Sequence, residues 1–360
     1  MQVHKKIIFW IRFGKIGPVQ AKHLLLISLL VLVIFLIGDI NTVPVKFRHP
    51  GQILVKLMSS PVFVDEDPDF TQKDGDVKTP GLCPKTSPLL VGVTQVDESP
   101  TDLLHLSQAF SSSFRPGGHY KPPDCLSRTK TAVIVAYRNR QRHLVILLNH
   151  LIPFLVRQQA EFAIFVVEPV PNVTFNRALL MNIGFLEALK TNNFTCFVFH
   201  DVDLMPVTDH NLYRCGATPR HMAVSNSKYD NGGGFHAYAG GVMALSKDTY
   251  LDINGHSNLY FGWGGEDDDL LCRLAYKGYK ISRYPRKIGR YKAVYHDEDR
   301  GNSVSNTRFQ LLWTAEERMQ SEGLSSLSYR NLKQEARQFY TWIYVDINEK
   351  YYSQNIAFFT

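Results

Sequence analysis

Three apolar runs, rich in β-branched and aromatic residues, constrain the chain most: Thr131–Tyr137 (TAVIVAY), Phe162–Glu168 (FAIFVVE) and Phe194–Phe199 (FTCFVF). None alternates apolar with polar residues, so each reads as a strand covered on both faces. Leu144–Arg157 and Ala178–Lys190 lie between them with apolar residues at helical spacing. This alternation predicts an α/β fold with a mainly parallel sheet flanked by helices, in which ligands collect beyond the strands' C-terminal ends. With 360 residues, 44% of them apolar, the chain can bury a sizeable core, and no internal repeat points to another architecture.

The N-terminal region has a different character. Leu24 to Gly38 is fifteen residues without a charge, flanked by Lys22 and Asp39. As a helix it would span roughly 22 Å, short of the about 30 Å of an average hydrocarbon core. It has no small-x-small cleavage site, and its basic flank favours the cytoplasm, so the expectation is an uncleaved signal anchor with the rest of the chain lumenal. A short span suits the thinner membranes of the early secretory route. The expected division is a cytoplasmic tail (1–23), an anchor (24–38), a Pro/Asp/Lys/Thr-rich stem (39–82), a globular domain (83–347) and a C-terminal tail (348–360). Five of the seven net positive charges lie in the first 22 residues, which contain no acid. The remainder is nearly balanced, which excludes a phosphate-tracking basic stripe and, with it, nucleic acid as a partner.

A lumenal address permits disulfides among Cys83, Cys125, Cys196, Cys215 and Cys272, and the odd count leaves at least one thiol unpaired. No C-x-x-C pair supports a zinc cluster. Asn172-Val-Thr and Asn193-Phe-Thr are N-glycan acceptor sequences.

Two stretches carry candidate chemistry. The third apolar run leads into His200-Asp201-Val202-Asp203, placing two carboxylates at the sheet's ligand edge, where one could face a hard cation. A solvated turn would read the same way. The second stretch is Phe261-Gly262-Trp263-Gly264-Gly265-Glu266-Asp267-Asp268-Asp269. Acids in a first helical turn interact favourably with the helix dipole, which explains one or two of the four. It does not explain the glycine-bracketed tryptophan before them. An aromatic face beside carboxylates is what a sugar ring and its hydroxyls require, with one acid as general base.

The segments CPKTSPLLVG, AYRNRQRHL, TFNRALL, CFVFHDVDLMP, YAGGVMALSK, FGWGGEDDD and HDEDRGN, in this order, resemble the animal β-1,4-galactosyltransferase family, glycosyltransferase family 7, over Cys83 to Ile347. The resemblance implies a GT-A (Rossmann-like) fold in a type II Golgi membrane protein. It also implies Mn²⁺-dependent, inverting transfer of galactose from UDP-galactose to the 4-hydroxyl of a terminal N-acetylglucosamine or related sugar on glycoproteins or glycolipids. Tyr137, Arg138, Arg140, Phe175 and Arg177 would then hold the donor, with Asp201, Val202, Tyr238 and Trp263. Asp203 and His296 would ligate the metal. Asp267 would be the catalytic base, with Glu266 beside it contacting donor or acceptor. Gly265, Arg308, Phe309 and Leu312 would bind the acceptor. Cys83–Cys125 and Cys196–Cys215 would pair, leaving Cys272.

The resemblance has two departures. Ala293 stands where the best-studied members have a metal-ligating methionine, so the metal preference is open and water, diphosphate or Asp297 would complete the shell. Tyr238, which favours galactose, is retained, but Ala239 replaces a larger neighbour. The rival readings are a UDP-N-acetylgalactosamine user and a catalytically silent carbohydrate-binding relative. His143, His150, His210, His221 and His236 read as ordinary surface or core histidines, Asp297-Glu298-Asp299 as loop, and Phe309 and Trp313 as possible core aromatics.

Overall fold

The computed structural model describes residues 63–65, 81–229, 239–297 and 302–359. The expected anchor (24–38), most of the stem, Tyr238, His236, Glu298 and Asp299 lie outside them. No helix among the described residues is long and apolar enough to cross a membrane.

The three apolar runs form strands β1 (Lys130–Ala136), β2 (Glu161–Pro169) and β3 (Cys196–Asp201), joined by helices α1 (Gln141–Arg157) and α2 (Arg177–Thr191). Both β2 and β3 pair in parallel with β1, on opposite sides, with Ile134 level with Phe165 on one side and Phe199 on the other. Alternate residues of β1 enter different apolar layers. Ala132, Ile134 and Ala136 pack with Leu179, Leu180 and Ile183 of α2, whereas Val133 and Val135 pack with Leu147, Leu151 and Phe154 of α1. Coverage on both faces is the reason the strand sequences show no alternation.

Among the elements that extend this centre are β4 (Leu204–Pro206), β5 (Val242–Ser246), α3 (Glu266–Tyr276), β6 (Arg290–Ala293), α4 (Arg308–Trp313), α5 (Ala315–Met319), β7 (Arg330–Ala336), β8 (Thr341–Asp346) and α6 (Glu349–Phe359). The expected parallel arrangement holds for the adjacent strands β3, β1, β2 and β8. Beyond them the sheet is mixed, because β5 runs antiparallel to β3 and β7 antiparallel to β8. Two segments expected to lie outside the domain join it. Phe63–Asp65, in the expected stem, pairs in parallel with Ile281–Arg283. The expected tail forms α6, which buries Tyr352 in the α2-side layer.

Because β2 and β3 lie on opposite sides of β1, the chain reverses its direction of advance between β1 and β3. The crevice at their C-terminal ends is a topological switch point, where open α/β sheets bind ligands. Ala136 is level with Asp201, so Arg138 and Asp203 follow together at that edge.

Candidate active site

Arg177, the first residue of α2, is the hub of the crevice. Its Nε donates to Asp201 Oδ1 at 2.6 Å, its Nη1 to Asp267 Oδ1 at 3.0 Å and its Nη2 to the Gly241 carbonyl at 3.4 Å. One guanidinium thus ties the end of β3 to the start of α3. Burial alone would make Arg177 easier to deprotonate, but Asp201, Asp267 and Glu266 outweigh it and hold its charge firmly. Partial burial pushes Asp201 up to about 6 against the opposing pull of Arg177, with Asp203 and Asp267 adding to the rise.

Asp203 lies beyond the end of β3, and its carbonyl accepts from Val294 N at 2.8 Å. That bond brings the segment after β6 to the crevice, with His296 Nε2 3.3 Å from Asp203 Oδ2. Burial works against the Asp203 carboxylate, yet its hydrogen bond with His296 leaves the group below the usual range. The same bond raises His296. Two adjacent ligands of one ion, each about 2.1 Å from it, stand about 3 Å apart, so this oxygen and nitrogen fit as neighbouring positions in a divalent coordination shell. Among the described residues no cluster of three or more His, Cys, Asp or Glu forms a metal centre. Ala293 ends β6 opposite Leu204 and brings no ligand atom.

The four acids of α3 have different surroundings. Asp267 meets Arg177, and Asp268 is exposed. Asp269 is fully buried, with Oδ1 2.6 Å from Arg273 Nε and Oδ2 2.5 Å from Arg318 Nη2. Glu322 Oε2 bridges the same arginines at 2.7 Å each, and Tyr260 OH donates to Asp269 Oδ2 at 3.0 Å. Two carboxylates therefore balance two guanidiniums inside the core. Glu266 is half-buried, and burial, with Asp267 nearby, pushes it up to about 8.

The tryptophan loop before α3 needs its glycines. A Cβ on Gly265, at φ +94°, would lie 2.7 Å from Tyr260 Cε1, and one on Gly262, at φ +88°, would lie 2.3 Å from the Ser303 carbonyl oxygen. The Trp263 backbone N–H donates to Ser303 O at 2.9 Å, and the residue is 54% exposed at the rim. Arg308 packs against Gly264 and Gly265, which places the first turn of α4 beside the acids. Phe309 is exposed and Leu312 half-buried, and Trp313 is exposed too, so the core reading of these two aromatics is corrected.

The other expected donor residues line the β1 side. Tyr137 is buried, which pushes its phenol up to about 12, and it donates to Gln141 Oε1 at 3.4 Å. Arg138 lies 4.9 Å from the centroid of Phe175 and donates to Val173 O at 2.8 Å. Arg140 donates to Asp297 O at 3.2 Å, and Val202 is buried in the α1-side layer. His143, read from sequence as an ordinary surface or core histidine, meets Tyr295 O at 3.1 Å and lies edge-on to His296 at 5.7 Å between ring centroids. His150 and His221 bond the carbonyls of Pro206 and Gly240. Cys83 pairs with Cys125 and Cys196 with Cys215, Cys272 is a buried thiol, and Asn172 and Asn193 are exposed. Arg273, Arg318 and Glu322 were missed. Their signal was the i,i+4 spacing of Asp269 to Arg273 and of Arg318 to Glu322.

Residues 83–216 match the family described as the N-terminal region of glycosyl transferase group 7, and residues 220–297 the N-terminal domain of galactosyltransferase. Human β-1,4-galactosyltransferase 3 is 46% identical over 266 residues, covering 74% of this chain and 68% of that protein. Human β-1,4-galactosyltransferase 1 is 45% identical over 266 residues, covering 74% and 67%. Among solved structures, the catalytic domain of Drosophila β-1,4-galactosyltransferase 7 in complex with xylobiose is 27% identical, with a TM-score of 0.52, covering 61% of this chain and 94% of that one. A mutant of that Drosophila protein, in complex with manganese, UDP-Gal and xylobiose, is 26% identical with a TM-score of 0.51 over the same shares. The mixed sheet with its switch-point crevice is thus the GT-A arrangement, and the chain belongs to the β-1,4-galactosyltransferase family, glycosyl transferase group 7.

Proposed function

We propose that this protein transfers galactose from UDP-galactose, with inversion and in a Mn²⁺-dependent manner, to the 4-hydroxyl of a terminal N-acetylglucosamine. We further propose that it acts as a type II Golgi membrane protein with its catalytic domain in the lumen. The observation that carries the activity is the pair of ion pairs from Arg177 to Asp201 and Asp267, which holds Asp267 in one crevice with Asp201 and the adjacent Asp203–His296 pair. Relatives named as β-1,4-galactosyltransferases, and a related structure holding manganese and UDP-Gal, support the donor and the metal.

The residues divide the work. Asp203 and His296 would hold the divalent ion, which when bound supplies positive charge to the diphosphate. Arg138 and Arg140 present guanidinium forks near the same edge, suited to phosphate oxygens. Asp267, oriented by Arg177, accepts the proton of the acceptor hydroxyl as that oxygen attacks the anomeric carbon. Burial, with Asp267 nearby, pushes Glu266 up, so it can hold a proton and donate a hydrogen bond to a sugar oxygen. UDP departs as an anion, so no second carboxyl has to protonate a leaving group as in a glycosidase.

Donor trials on the full chain, with saturating Mn²⁺ and N-acetylglucosamine, test the reading. UDP-galactose should turn over in preference to UDP-N-acetylgalactosamine. A reversed preference would establish the rival donor, and no turnover of either a silent relative. Tyr238→Leu should relax the preference towards the N-acetylated donor in the same assay.

A further inference from the structure

Asp203 and His296 follow strands of different sheets. Asp203 lies beyond β3 of the main sheet, whereas His296 follows β6, which pairs with β4 and Ser225–Asn226 in a three-stranded sheet. A buried chain of hydrogen bonds joins β3 to β6. His200 Nε2 meets Tyr213 OH at 2.8 Å, and Tyr213 OH meets Tyr291 OH at 3.0 Å. At its other end, His200 Nδ1 lies 2.8 Å from the Asp201 carbonyl oxygen, where the turn to Asp203 begins. The Cys196–Cys215 bridge ties the Tyr213 segment to the start of β3. His200, Tyr213 and Tyr291 are each at most 1% exposed, so solvent does not compete for these bonds. The bonds also share one direction. A carbonyl oxygen only accepts, so His200 carries its proton on Nδ1. Burial disfavours a second proton, bringing the imidazole down to about 4, and Nε2 is left as an acceptor. Tyr213 then donates to His200, and Tyr291 to Tyr213.

We infer that His200, Tyr213 and Tyr291 are positioning residues for the divalent ion, their hydrogen-bond chain holding β6, and with it His296, at the spacing from Asp203 that one ion requires. This rests on the metal-dependent reading of the site and deepens it. The β4–β6 ladder and the bond from Val294 N to Asp203 O tie β6 to the chain from Asp203 onward. The His200 chain ties β6 to β3 before Asp203, so the metal-binding carboxylate is bracketed on both sides. Ala293 supplies no ligand atom, and the ion's affinity then depends on how well two segments keep the 3.3 Å between Asp203 Oδ2 and His296 Nε2. Hydrogen bonds in an apolar layer are strengthened by their low-dielectric surroundings and by one another when they run in one direction, which suits this chain to fixing a distance.

The test is Mn²⁺ binding to the full chain, read from the electron paramagnetic resonance signal of the free ion, with folding checked by circular dichroism. Tyr213→Phe and Tyr291→Phe each keep the ring and remove one hydroxyl. Each should weaken Mn²⁺ binding about fivefold, less than the roughly tenfold or more typical of groups that bond a metal ligand directly. The double variant should also be about fivefold weaker, because both substitutions interrupt the same chain. Tyr250→Phe is the control: it removes an equally buried hydroxyl, bonded to Asn182 and His256 on the α2 side of the sheet. It should lower the urea midpoint and leave Mn²⁺ affinity unchanged. If one chain variant fails to fold, the other carries the comparison with Tyr250→Phe. Wild-type affinity in a folded chain variant, losses that multiply in the double variant, or an equal loss in Tyr250→Phe overturns the inference. Failure of the metal-dependent reading appears separately, as no saturable Mn²⁺ binding by wild type, and removes the inference with it.

Discussion

Glu266 and His296 show how much of the site depends on single side chains. A free glutamate titrates near 4.5, whereas burial, with Asp267 nearby, pushes Glu266 up to about 8. Between those values the folded chain holds the extra proton, so this residue's contribution to stability is complete below about pH 4.5 and declines as pH rises through about 8. Glu266→Gln removes the decline. Urea midpoints of wild type should therefore fall relative to the variant across that window, and a constant difference would contradict the buried-acid assignment. At the metal pair, His296→Ala should raise the Mn²⁺ concentration for half-maximal turnover at least tenfold, measured by titrating metal into chelator-treated protein. At this scale the sequence revealed the acids because Trp-Gly-Gly beside four carboxylates has no adequate local explanation. It did not reveal Arg318 as the partner of Asp269, because the two are 49 residues apart and meet only in the core.

Helix α3 is aimed by what lies beneath it. Asp269, Arg273, Arg318 and Glu322 form a closed set of charges in which every member is buried. Removing one partner leaves an uncompensated buried charge, which typically costs about 3–5 kcal/mol. Arg318→Met should lower unfolding stability by that amount in urea titration, whereas Lys277→Met, at an exposed pair with Asp252, should change it by about 1 kcal/mol or less. Equal effects would contradict the network's role. The central strands and helices were legible because both-sided burial writes continuous apolar runs. The strand at Phe63–Asp65 was not, since its pairing with Ile281–Arg283 joins segments with no shared local pattern. The antiparallel β5 was missed for a related reason: apolar content marks a strand without fixing its direction.

The whole molecule assembles one crevice from distant parts of the chain: Arg138 after β1, Arg177 on α2, Asp203 after β3, Asp267 on α3 and His296 after β6. A ligand bridging these parts stabilises the fold by mass action, by about 2.7 kcal/mol at a hundredfold excess over its dissociation constant. Thermal unfolding should therefore shift upward more with UDP and Mn²⁺ together than with either alone. The central claim is that Asp267 takes the acceptor's proton in a crevice shared with the Asp203–His296 pair. The most direct measurement is the product formed from UDP-galactose, Mn²⁺ and N-acetylglucosamine by wild type and by Asp267→Asn, read by NMR alongside calorimetric UDP binding. The prediction is a β-1,4-linked galactoside from wild type, and a rate at least a hundredfold lower in the variant with UDP affinity retained. An α-linked product, or a near-normal rate in Asp267→Asn, would contradict it.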